Sequence, residues 1–231
     1  ELVKLDYIPQ HYPDRKWQQH EYQTKSTSTS VIWQTQGIGA SISPPDPTGD
    51  VDSLYYIQGT NSNGGGAIKI FEKNTGNAVT GLLSMQTLGS PNVNGLGDPI
   101  ILYHHSEKRW FITQFASSGN KLLVYVSQSS DPQGNYFLYQ FTCSGFPDYP
   151  KWSIAENADA LLVSTNEGGA PTVYAMKLSD MLLGSASPFI GVDIGYPLNG
   201  FGFQSITPVD LEGSIPAPQS MKPLFVRHRD D

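Results

Sequence analysis

The sequence predicts an all-β chain, a β-propeller of four-stranded antiparallel blades, and three observations point to it. Turn-forming residues are frequent, with 23 Gly and 17 Pro among 231 residues, while 15% of the chain is charged, so strands must be short and closely connected. The apolar runs between turns have strand length, and no stretch longer than about ten residues keeps the spacing of an amphipathic helix. The unit also recurs: Asp50, Asp98 and Asp148 open successive stretches 48 and 50 residues apart, and Asn199 stands at the next step. Strands recurring in fours suit a propeller better than a sandwich or jelly roll.

Taken in order, residues 1–30 are expected to form a polar leader or linker, because Gln, His and Lys and the serine-threonine run at 26–30 dominate and apolar spacing is irregular. Residues 31–231 are expected to hold the blades. In the first unit, residues 54–58 and 67–71 read as strands, separated by a Gly-rich turn at 61–66 and followed by a turn at 73–77. The second unit is the clearest. Runs at 99–103, 110–115, 122–126 and 136–141 are joined by turns at 104–109, 117–120 and 131–134, which makes an antiparallel meander. In the third, residues 152–154, 160–164 and 172–176 read as strands with a polar turn at 166–169. Residues 201–206 begin a fourth.

Composition excludes several classes. Lys and Arg number 14 against 21 Asp and Glu, a net charge of -7, which offers no field to attract a phosphate backbone. No apolar run is long enough to span a bilayer as a helix. The first residue is Glu1 and no signal-type segment opens the chain, so a processed product or an excised fragment is expected. Cys143 is the sole cysteine, which removes disulfides and thiolate metal sites; a buried, inert thiol is expected.

An ordered set of motifs carries a resemblance. It comprises Asp46-Pro47-Thr48-Gly49-Asp50, then Gly97-Asp98-Pro99 with Arg109-Trp110, then Ser130-Asp131-Pro132-Gln133-Gly134, and finally Phe146-Pro147-Asp148-Tyr149-Pro150-Lys151. Together they resemble a family of secreted bacterial propeller domains, distantly similar to sialidase and BNR-repeat propellers, found in large multidomain surface proteins. The resemblance implies a secreted or cell-surface protein. It also implies that this chain is the N-terminal part of a larger propeller, completed by a partner chain or a C-terminal half. Residues 129–136 resemble a degenerate Asp-box, which in such propellers is a structural turn between the third and fourth strands of a blade.

The candidate site residues are the acids near the unit starts. If Asp46, Asp50, Asp52, Asp98 and Asp148 converge at the mouth of a central channel, hard oxygen ligands face one point and Ca²⁺ is the expected partner. The competing reading for each is a cap on local backbone amides. Tyr149, Trp152, Tyr196 and Phe201 flank the same loops and are candidates to stack on sugar faces, against the alternative of packing between blades. The expected function is binding or assembly, with a glycan or protein ligand and without catalysis. The alternatives are a glycoside hydrolase or lyase, which needs two carboxylates about a scissile bond, and a structural spacer or secreted cargo domain. His104 and His105 are expected as surface turn residues, and Arg109 as a turn residue whose stem covers an aromatic ring.

Overall fold

The computed structural model describes residues 31, 34–39, 42–168, 170–194, 206–211, 217–218 and 220–227. Chain contacts divide the molecule into Glu1–Ile32 and Trp33–Asp231, and every element below belongs to the second unit. The leader expected at 1–30 lies outside the described residues.

The fold is all-β, with three successive four-stranded antiparallel sheets and a two-stranded one. The first sheet is β1 (Thr48–Val51), β2 (Tyr55–Ser62), β3 (Gly65–Glu72) and β4 (Leu83–Ser84). The second is β5 (Gly95–His104), β6 (Arg109–Ala116), β7 (Lys121–Ser127) and β8 (Tyr136–Thr142). The third is β9 (Asp148–Ala155), β10 (Ala160–Glu167), β11 (Ala170–Lys177) and β12 (Phe189–Asp193), with the short helix α1 (Leu178–Leu182) before its last strand. The fourth pairs β13 (Thr207–Pro208) with β14 (Phe225–Val226). Within each four-stranded sheet the strands lie side by side in chain order, so every connection joins neighbouring strands and no crossover is needed.

The sheets stack face to face, and the two-residue period of the strands shows how. On β6, Trp110 and Ile112 join Ile57, Ile68 and Ile70 of the first sheet in one core, while their neighbours Phe111 and Phe115 point the other way. On β7, Leu123 and Tyr125 face the first sheet, and Leu122, Val124 and Val126 meet Trp152, Leu161, Val163 and Tyr174 of the third. The second sheet is thus buried on both faces, which is why its central strands read as nearly unbroken apolar runs. A third, smaller core joins Ala155, Ala160 and Leu162 to Leu211 and Phe225 beside the fourth sheet.

Polar ties cross between sheets. Thr48 Oγ1 accepts the Ile101 amide and Asp50 Oδ2 accepts the Tyr103 amide at 2.7 Å. Gln114 reaches from β6 to accept the Gly66 amide at 2.9 Å while donating to the Tyr125 hydroxyl. Glycine is required for that reach: a Cβ on Gly95 would lie 1.9 Å from Gln114 Oε1. On the third sheet, Glu167 accepts from Thr165 and Tyr174 and from the Gly145 amide of the β8–β9 connection. The third and fourth are joined by Ser153 and Ser164, whose hydroxyls donate to the Val209 and Ile206 carbonyls.

Several expectations shift. The turn expected at 61–66 contracts, because β2 continues through Ser62 and β3 begins at Gly65, with Gly64 and Gly65 at φ 87° and 122°. β1, β4, β12 and α1 are elements that the apolar runs did not mark. The Asp-box-like segment does lie between β7 and β8, third and fourth in their sheet. Its turn is closed by Asp131, which accepts the Gly134 amide on its carbonyl and the Gln133 amide on its carboxylate. His104 is not a surface turn residue: it ends β5, is buried, and sets Nδ1 3.1 Å from Glu156 of the third sheet. His105 is exposed and stands edge-on to Tyr103. Most of the strand expected at 201–206 lies outside the described residues.

Candidate functional site

A signature recurs at the first strand of each four-stranded sheet, just before β1, within β5 at a register shift, and at the second residue of β9. Asp46, Asp98 and Tyr149 have φ of 38°, 50° and 53°, and each is followed by proline, at 47, 99 and 150. A positive φ is uncommon outside glycine and rarer still before proline, where extended backbone is favoured, so its threefold recurrence marks a true repeat. The structural equivalents are therefore Asp46, Asp98 and Tyr149, spaced 52 and 51 residues. This corrects the register read from Asp50, Asp98 and Asp148: in the first unit it is Asp46 that matches Asp98, and in the third the acid precedes the equivalent position by one.

An open cleft of about 420 Å³ lies where these openings meet, and the same three positions of each sheet line it: residues 46–48, 98–100 and 149–151. Asn61, buried near the end of β2, ties two of the openings together. Its Nδ2 donates to Asp46 Oδ2 at 2.8 Å, to Asp98 Oδ1 at 3.3 Å and to the Pro44 carbonyl. Its Oδ1 accepts the Asp98 amide at 2.6 Å. Thr60, beside it, donates to the Pro45 carbonyl.

The electrostatics of the cleft are those of a crowded acidic site with one internal cation. Burial raises the Asp98 carboxyl above its ordinary value; the Asn61 hydrogen bond lowers it, and the charges of Asp46 and Asp148 raise it again. Lys151 is shifted down by burial, and Asp98 and Asp148 pull it back up. Its ammonium stands 3.3 Å from the centroid of the Tyr149 ring, a cation-π geometry. Tyr149 is 41% exposed, and Asp148 holds its backbone by accepting the Tyr149 amide at 2.9 Å.

A carboxyl raised by folding contributes stability below its unfolded pKa and loses it as pH rises through the folded value. Asp98→Asn removes that loss, and asparagine tolerates the left-handed backbone. The variant is expected to unfold at higher denaturant than the parent at neutral pH, with the difference vanishing in acid below about pH 4. Urea titrations at the two pH values measure this.

The expected site residues thus separate. Asp46 and Asp98 line the cleft, whereas Asp148 stands one residue before its lining and acts on Asp98 and Lys151 through its charge. Asp50 and Asp52 do not line it: Asp50 accepts the Val51 and Tyr103 amides, and Asp52 caps the β1–β2 turn through the Leu54 and Tyr55 amides. Tyr149 lies in the cleft, whereas Trp152 is 8% exposed and packs in the core between the second and third sheets. Tyr196 and Phe201 lie outside the described residues. Asn61 and Lys151 were not expected. The first looked like a turn residue, and the recurring X-Pro dipeptide was the signal that could have led to the second.

Calcium was the expected partner of the acids. Among the described residues no group of three His, Cys, Asp or Glu side chains is placed to hold a metal ion. In the cleft, Asn61 Nδ2 donates to both Asp46 and Asp98, and the Lys151 ammonium stands over the Tyr149 ring.

Two groups elsewhere are enclosed by the third-sheet core. Burial, and then the Glu167 charge, push the Cys143 thiol up to about 12, so it is a protonated, inert thiol at neutral pH. Tyr174 donates to Glu167 at 2.8 Å, but its ring is buried and stacked on Phe189, and burial raises its phenol. In a second cavity of about 290 Å³, Ser106 Oγ donates to Glu156, and His104 Nδ1 stands 3.1 Å from the same carboxylate. Arg109 donates to the Glu107 and Lys108 carbonyls of its own turn. The chain matches no protein-family model, no curated protein and no solved structure.

Proposed function

We propose that the stacked sheets are blades of a β-propeller, and that the chain is a secreted or cell-surface recognition module that binds a glycan at the blade openings. One observation carries the reading: a single cleft is lined by the same three positions of three successive sheets, as expected where blades converge on a common axis. The cleft suits sugars. The exposed Tyr149 ring offers an apolar face, and Asp46 and Asp98 can accept hydroxyl hydrogens. The resemblance of the ordered motifs to secreted bacterial propellers supports the placement at the cell surface.

Binding is favoured over hydrolysis by the state of the acids. A glycosidase holds one carboxyl protonated beside a free partner about the scissile bond. Here Asp46 and Asp98 are tied to the same Asn61 amide, and Asp148 is committed to the Tyr149 backbone.

Glycan-array binding with the purified chain, combined with a broad glycosidase and lyase screen, tests the proposal. Tyr149→Asn keeps a residue that tolerates positive φ while removing the ring. It is expected to lower affinity for any bound glycan about tenfold or more, with unchanged unfolding behaviour. Equal binding by the variant overturns the cleft as the site, and turnover of any glycan overturns the non-enzymatic reading.

A further inference from the structure

The face of the third sheet that points away from the second is covered along half of its width. Paired residues across that face run Ser153, Leu162, Ala175 and Ile190 in one row, and Lys151, Ser164, Val173 and Val192 in the next. Over β9 and β10 the rows are closed by the fourth sheet: Leu211 and Phe225 pack on the core that holds Ala155, Ala160 and Leu162, and Ser153 and Ser164 bond to its backbone. Over β12 they are open, with Ile190 64% and Val192 53% exposed.

The two other interfaces show how such a face is covered by strands. Between the first and second sheets, Leu123, Tyr125 and Leu138 of β7 and β8 cover Ile68, Ile70 and Met85. These are the third and fourth strands of the covering sheet. The fourth sheet has two described strands, and among the described residues no strand pairs with the second edge of β14. Leu224 and Val226, either side of the inward-facing Phe225, are 46% and 55% exposed, so the apolar surface continues onto that sheet's far side.

We infer that this face is a docking surface for a polypeptide segment in extended conformation with apolar residues at alternate positions. The segment adds to the β14 edge through backbone hydrogen bonds and lays its apolar side chains over Ile190 and Val192. The occupant is a strand of another protein segment because the surface is the outward continuation of an interface already built from strands, at the position where the other sheets place strands.

Panning a phage-displayed library of short linear peptides against the chain tests this. Enriched peptides are expected to alternate apolar and polar residues and to slow hydrogen exchange at the Phe225 amide, which faces away from β13. They should lose about tenfold or more in affinity for the Ile190→Lys/Val192→Lys double variant, and none for Leu183→Lys, an exposed apolar control elsewhere. Both changes are at exposed positions, and far-UV circular dichroism verifies the fold. The absence of enriched peptides, or equal binding to the double variant, overturns the inference. So does concentration-dependent dimerisation that the double variant abolishes, which makes the occupant a second copy of the chain. Glycan binding is read separately, so the cleft proposal survives or fails independently of this one.

Discussion

Replacing Trp110 with alanine is expected to destabilise the protein by about 3–5 kcal/mol, and replacing its neighbour Phe111 to cost a similar amount. Both side chains are 0% exposed, so each truncation removes buried apolar area and leaves a cavity that close-packed sheets cannot collapse to fill. The two variants should nevertheless loosen different parts of the molecule. Trp110 packs with Tyr103 and with the first-sheet residues Ile57 and Ile68, whereas Phe111 belongs to the core shared with Trp152 and Leu161 of the third sheet. Equilibrium denaturation gives the total loss. Hydrogen exchange then separates the two, with protection lost first in β2 and β3 for Trp110→Ala and first in β9 and β10 for Phe111→Ala. Loss in the same strands for both would contradict the face-to-face stacking.

Asn61→Ala is expected to cost about 1–2 kcal/mol, since the buried Asn61 holds the half-buried Asp98 through two hydrogen bonds. The variant strands the Asp98 amide and the Pro44 carbonyl, and it leaves Asp46 and Asp98 without the donor that stands between them. The loss depends on pH. The Asn61 hydrogen bond lowers the Asp98 carboxyl against the upward push of burial, so removing it raises the folded pKa further. Stability is then lost as pH rises through that higher value, and the penalty should be smaller near pH 3 than at neutrality. Denaturation curves for parent and variant at both pH values decide this; a pH-independent penalty would mean that Asn61 acts on the backbone alone.

The second sheet was legible in the sequence because every signal agreed. Its central strands are buried on both faces and read as apolar runs, and each of its turns has its own punctuation in 105–108, 117–120 and 131–134. β12 was not legible: it follows Ser185-Ala186-Ser187-Pro188, and four of its five residues are exposed, so neither face imposes a pattern. The repeat was visible but its register was not. A backbone with positive φ has no sequence mark outside glycine, and Pro45-Asp46-Pro47 looked like a connecting turn, which left Asp50 as the apparent opener. For the site, residue type identified the acids but not their surroundings. Asp50 and Asp98 look alike in sequence, yet one closes a backbone amide across sheets and the other faces a cleft. Trp152 failed as a platform through parity: it faces the same way as Ile154, into the second sheet.

The stacking of the sheets has a further consequence. Each sheet shares an apolar core with its immediate neighbours in chain order, so the protein behaves as a short linear array in which stability accrues interface by interface. The second sheet, held from both sides, can open only after a neighbour has gone. The third is braced on its far side by two short described strands, the weaker of its two interfaces, so loss of that bracing is the step that frees it, and cooperativity runs from there toward the Trp110 core.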